Sequence, residues 1–223
     1  MNPVFLAATT EIANKTNMLS IAAKGGFLMI VLLLISFLGL IIIIERLLKF
    51  RNAQKDEEEF RQEIYGYLNN RQYEKAIQVC ETRKNSPFAV VLGKAVESID
   101  KNISELKEII EAAIKKEIHQ LERNLGTVAT FAAIAPLIGF LGTVTGMVKV
   151  FMKIGGTGGG VDISLLANGI WEALITTIGG LTVGIIMILF YNYLVGKLED
   201  LAQQLEENSN EFIFSFRRIK DEN

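Results

Sequence analysis

Glu172 stands inside a long apolar run, where an ionisable side chain is costly unless it faces protein or water. Thr176 lies one helical turn further along the same face, with Thr177 beside it and Gly179, Gly180 and Val183 beyond. A carboxylate followed by hydroxyls can line a wet pore, holding water or guiding a proton without a fixed charge at each step. The same residues also fit a Glu near the water interface that merely caps a helix contact, and spacing alone does not choose between the two. In a second apolar run, Pro136, Gly139, Thr143 and Gly146 recur every three or four residues. Thr143 either exposes its hydroxyl in a hydrophilic lumen or bonds back to a carbonyl of its own helix, and the pattern alone favours the latter. Pro136 lacks an N–H and is expected to kink the helix or loosen one turn.

Other chemistries find little support in the sequence. His119 is the single histidine and Cys80 the single cysteine, so a His-rich metal site and an internal disulfide are excluded. No nucleophile–base pair or metal cluster is visible, an enzyme is the least expected class, and no cofactor is expected. A net charge of −2 argues against a nucleic-acid partner, which calls for a basic face. The run from Gly155 to Gly160 resembles a phosphate loop at first sight. It lacks the following Lys-Ser/Thr and follows no strand, so a flexible linker is the better reading.

The elements that must position these residues are membrane helices. Mean hydropathy is +0.31, high for a soluble domain and low for a chain wholly in the membrane. The expected fold class is all-α: a polytopic membrane protein with three transmembrane helices and long helical extensions. Residues 1–24 form an extracytoplasmic segment, read as retained and as a short amphipathic surface helix through Phe5, Leu6, Ile12, Leu19 and Ile21. The first span is 25–48, the cytoplasmic helical domain 49–124, the second span 125–153, an outer Gly-rich loop 154–164, the third span 165–195, and a C-terminal helix 196–223. Each apolar run is long enough for a hydrocarbon core that takes about 20 residues to cross. The Leu/Ile-rich first span is expected to face lipid. The other two, rich in Gly, Ala and Thr, are expected to face protein, because small residues let backbones approach closely. Pro136, Gly139, Gly142, Gly146 and Gly180 are the candidate packing and kink positions.

Orientation follows from basic residues. Between Arg46 and Arg123 lie 15 of the 23 Lys and Arg. That segment and the tail are placed in the cytoplasm, with the N-terminus and the loop after the second span outside. Ser86 and Pro87 are read as N-cap and first residue of one cytoplasmic helix, and Ser104 as the cap of the next. That next helix carries one apolar face through Leu121 and Leu125 and is expected to continue directly into the second span.

Two segments carry a family resemblance. The run from Ala135 to Met147, APLIGFLGTVTGM, resembles the second-span signature of the MotA/TolQ/ExbB proton channel family, in its ExbB/TolQ branch. GIWEALITT from Gly169 to Thr177, followed by Gly180-Leu181, resembles the third-span signature. Lys24-Gly25-Gly26 and Glu45-Arg46-Leu47, on either side of the first span, are similar too. Two positions depart from the pattern: Thr145 stands where many members carry a bulky aromatic, and Gly179-Gly180 is smaller than usual.

The resemblance implies a bacterial inner-membrane protein that forms a homopentamer around two single-span partner helices of the ExbD/TolR type, the partner carrying the proton-binding Asp. It further implies that proton-motive force drives movement of that partner and acts on a TonB-like energy transducer or the Tol system. Carried over by position, Thr143 and Thr177 match the pore threonines and Glu172 the third-span glutamate. Glu172, Thr143, Thr176 and Thr177 are therefore the candidate proton-pathway residues. A self-sufficient cation channel and a structural membrane scaffold remain the competing readings.

Overall fold

A computed structural model describes residues 25–53, 57–156 and 163–221, apart from the side chains of 57, 58, 165 and 217–221. The expected N-terminal surface helix and residues 157–162 of the outer Gly-rich loop lie outside these residues, while the two ends of that loop, 154–156 and 163–164, are helical. The described chain is all-α: α1 (Gly26–Ala53), α2 (Glu57–Asn69), α3 (Tyr73–Thr82), α4 (Pro87–Glu97), α5 (Ile103–Glu122), α6 (Leu125–Gly156) and α7 (Ile163–Asp221). Three helical runs, Gly26–Ala53, Ile103–Gly156 and Leu166–Phe216, are long and apolar enough to cross a membrane.

The chain divides into two compact units. One comprises residues 25–41 with Thr127–Phe190, and the other Ile42–Gly126 with the chain from Tyr191 onward. In the first unit each helix buries a narrow stripe and exposes the rest. The segment of α1 turns Leu32, Ile35 and Gly39 inward and leaves Phe27, Ile30, Leu34 and Phe37 exposed. That of α6 buries Ala132, Ala135, Gly139, Gly142 and Gly146, and that of α7 buries Ala173, Thr176, Gly180, Gly184 and Met187. Steps of three and four residues keep each stripe on one helix face. Aliphatic and aromatic side chains exposed in this way would be costly in water and are at home in lipid or against another apolar chain.

The second unit is held by an ordinary apolar core. Phe60, Ile64 and Leu68 of α2 face Ala76 and Cys80 of α3 and the almost wholly buried α4, with Phe88, Val91, Leu92, Ala95 and Val96. The Phe60 and Phe88 rings meet edge to face, centroids 6.1 Å apart, and the Arg83 guanidinium lies 5.0 Å from the Phe60 ring. Ser86 caps α4 by accepting from the Ala89 N–H, and Pro87 takes the first helical position. Leu194, Leu198, Leu201, Leu205 and Phe212 of α7 are buried in this unit, where Arg61 donates to Asn208 Oδ1 at 3.0 Å.

Two local expectations change. The cap of α5 is Asn102, not Ser104: its side-chain oxygen accepts from the Glu105 N–H at 2.8 Å, leaving Ser104 inside the first turn. Nor does α5 run straight into the second span. Asn124 adopts a left-handed φ of 70° and separates α5 from α6. An apolar stripe that continues on both sides conceals such a break, but Asn is one of the few residues other than Gly that visit this conformation readily.

Candidate functional site

The second and third spans meet along a seam whose closeness glycine alone permits. A methyl group at Gly180 would lie 2.5 Å from the Ala135 carbonyl oxygen and 2.8 Å from Gly139 Cα. One at Gly139 would lie 3.0 Å from the Thr176 carbonyl oxygen, one at Gly142 2.6 Å from Thr176 Cβ, and one at Gly146 2.9 Å from Ala173 Cβ. The backbones of α6 and α7 thus touch over several turns, the geometry that small residues give to helices in lipid. Pro136 lies inside α6, which continues as a helix around it, and its ring fits against Gly184 on α7: a methyl there would lie 2.6 Å from Pro136 Cγ. Gly184 was absent from the sequence-derived set. Its spacing of four from Gly180 on the same face was the available signal.

The candidate hydroxyls sit on or beside this seam. Thr177 crosses it, donating to the Gly139 carbonyl at 2.9 Å. Thr176 is 1% exposed and donates to the Glu172 carbonyl in its own helix at 2.6 Å. Thr143 is half-buried and donates to the Phe140 carbonyl at 2.6 Å. All three have therefore committed their single O–H donor to a main-chain oxygen. Thr143 and Thr177, both half-buried, retain lone pairs with which they can accept from water or a proton carrier, whereas Thr176 is enclosed in the seam. Back-bonding within the helix, one of the two readings of Thr143, is present in this geometry. It fixes the rotor while leaving acceptor capacity in place.

Glu172 lies a turn beyond Thr176. Its carboxylate receives the Lys149 ammonium of α6 at 3.4 Å, with the Glu side chain 34% exposed. It also rests against the first turn of α1: Gly26 has a φ of 66°, and a Cβ there would stand 2.5 Å from Glu172 Oε1. A helix N-terminus carries partial positive charge and favours a nearby anion. Glu172 is thereby held by all three spans, with Gly26 and Lys149 as neighbours that were not among the candidate site residues. The sequence did carry a cue for Lys149, the only charge between Thr127 and Phe151, as Glu172 is the only charge in the third apolar run.

Nothing comparable assembles in the second unit. Cys80 is buried beneath α4, and burial pushes its thiol up to about 12, which suits packing and not nucleophilic attack. Among the described residues no group of three His, Cys, Asp or Glu side chains is placed to hold a metal ion.

Comparison with known proteins bears on the whole chain. Residues 83–207, more than half of it, match the MotA/TolQ/ExbB proton channel family. An ExbB homolog from Methanothermobacter thermautotrophicus is 34% identical over 121 residues, covering 54% of this chain and 42% of that relative. An ExbB-like biopolymer transport protein of Synechocystis is 30% identical over 87% of this chain and 74% of its own length. The Tol-Pal system protein TolQ of Haemophilus influenzae is 29% identical over 91% of this chain and 93% of its own length. The matched segment takes in the glycine seam, Thr143, Glu172, Thr176 and Thr177, and with its three apolar helices the chain belongs to the MotA/TolQ/ExbB proton channel family, a family of channel-type transport proteins and not of enzymes.

Proposed function

We propose that this chain is the channel-wall subunit of an inner-membrane motor driven by proton-motive force, of the ExbB–ExbD type, that energises TonB-dependent transport across the outer membrane. Five copies form a ring in this reading, around two single-span ExbD/TolR-like helices whose Asp carries the proton. The N-terminus faces the periplasm and the C-terminus the cytoplasm, in keeping with the concentration of Lys and Arg between Arg46 and Arg123. The observation that supports the reading most strongly is the composition of the seam region. One carboxylate and two half-buried hydroxyls acting as acceptors, with a third buried behind them, on backbones locked together by glycine, make a rigid and weakly polar wall without the series of acids a complete pump would need. The titrating group is then supplied by the guest helix. Thr143, Thr177 and Glu172 order water along its path, Thr176 sits buried in the seam behind them, and Gly139, Gly142, Gly146 and Gly180, with Pro136, keep the wall from yielding.

The test is proton flux into liposomes loaded with a pH-sensitive dye. The full chain reconstituted alone should be tight, and co-reconstitution with its single-span partner should allow flux driven by an imposed gradient. Comparable flux from the chain alone would replace this reading with a self-sufficient cation channel. The match to TolQ along nearly all of that protein's length favours a second reading, a subunit of a Tol-Pal-type envelope system. Deletion of the gene separates the two: loss of energised ligand uptake with an intact envelope supports the first, and envelope leakage with normal uptake the second.

A further inference from the structure

Arg46 is fully buried, although it directly follows Glu45 at the end of the apolar run of α1. Its Nη1 donates to the Gln120 and Leu121 carbonyl oxygens, each at 3.2 Å. Its Nη2 reaches the Glu45 carboxylate at 3.4 Å, a partner 41% exposed to solvent. Its Nε is buried with no hydrogen-bond partner. A buried guanidinium with one idle N–H is costly, and a well-packed apolar side chain would avoid that cost. What the other nitrogens hold is therefore informative.

They hold a helix end. Gln120 and Leu121 lie in the last turn of α5, where carbonyls lack intrahelical donors and the helix presents partial negative charge. The Arg123 N–H still reaches the His119 carbonyl at 3.2 Å. Asn124 then turns left-handed, and α6 begins at Leu125. Two features thus make the joint: a backbone reversal at Asn124, and a cation supplied from α1 on the carbonyls that the reversal leaves open.

We infer that Arg46 is the positioning residue of this joint, capping the C-terminal carbonyls of α5 and so fixing the point at which the cytoplasmic helix ends and the helix of the second span begins. The continuous apolar stripe of α5 and α6 does not specify a break at that point. The cap does, and it ties the inner end of the first span to the start of the second. This role does not depend on the ion that moves or on the partner.

Hydrogen–deuterium exchange on the full chain in detergent tests it. In Arg46→Met, exchange at the amides of Leu121, Glu122 and Arg123 should rise about tenfold, as expected for losing hydrogen bonds from a charged donor. Amides between Phe88 and Val96, in the core of the same unit, should stay as protected as before. Arg46→Lys, which keeps the charge and can donate to at least one carbonyl, should fall between. Asn124→Ala strains the same joint without disturbing the buried charge, and the same segment-limited rise is expected there. Unchanged exchange at the joint in either Arg46→Met or Asn124→Ala would overturn the inference. So would a rise shared equally with the Phe88–Val96 core, because Arg46 would then serve only general stability.

Discussion

The glycine seam of the first unit and the apolar core of the second solve the same problem in different solvents. In water, burying large side chains drives assembly, and α2, α3 and α4 are held by Phe60, Phe88, Ile64 and Leu92. In lipid that drive between helices is absent, since the tails are as apolar as the side chains. The second and third spans instead remove side chains where they meet and let the backbones touch at Gly139 and Gly180. A unit of the first kind is sensitive to losing atoms, and one of the second kind to gaining them.

The largest single effect is expected in the core. Phe88→Ala removes a ring 1% exposed and packed edge to face on Phe60, which should cost about 3–5 kcal/mol. Proteolysis of the second unit in detergent should accelerate in step. In the seam the direction reverses. Gly180→Val drives a branched side chain onto the Ala135 carbonyl and should cost about 1–3 kcal/mol or more, seen as a lower midpoint in thermal unfolding. Gly66 in α2 has open space around it, so Gly66→Ala should stabilise by about 0.5–1 kcal/mol. Equal tolerance at Gly66 and Gly180 would erase the distinction between the two regions.

A smaller change separates the two kinds of bond at the seam. Thr177→Val keeps the shape but deletes the donor to Gly139, and about 1 kcal/mol should be lost and regained in Thr177→Ser. Thr143→Val should leave stability nearly unchanged, because its bond lies within its own helix, while energised transport falls if its acceptor faces water. The smallest effect near neutral pH concerns Cys80. Its folded-state value is raised from 9.0 to about 12 and that of Tyr65 from 10.0 to about 12, both mainly by burial. Between those values the unfolded chain releases protons that the folded chain keeps, so stability is full below pH 9 and falls as pH rises toward 12. At pH 8 a maleimide should label Cys80 slowly in the folded protein and rapidly in dodecyl sulfate.

Much of this was legible in the sequence. The three spans announced themselves by length and composition, and Ser86-Pro87 marked the start of α4 because each residue has a specific job there. The glycines were visible as a three-and-four repeat. Their depth of contact was not, since a period gives the face of a helix and not its distance from another. Lys149 and Gly26 beside Glu172 escaped for a related reason: they come from other helices, and one chain's spacing does not say which ends meet. The joint at Asn124 was hidden by hydrophobic continuity. Arg46 read as one more inner-face cation until its burial and its carbonyl partners were visible.

The most direct test of a wall that encloses a guest helix is site-specific photocrosslinking in intact membranes. A benzophenone amino acid at position 143, where the small polar side chain stands on the glycine-rich helix, should capture the single-span partner. The same probe at Leu34, on the exposed aliphatic face of the first span, should capture lipid and no partner. Capture of the partner from position 34, with only lipid adducts from position 143, would place the guest on the wrong side of the bundle and contradict the assignment.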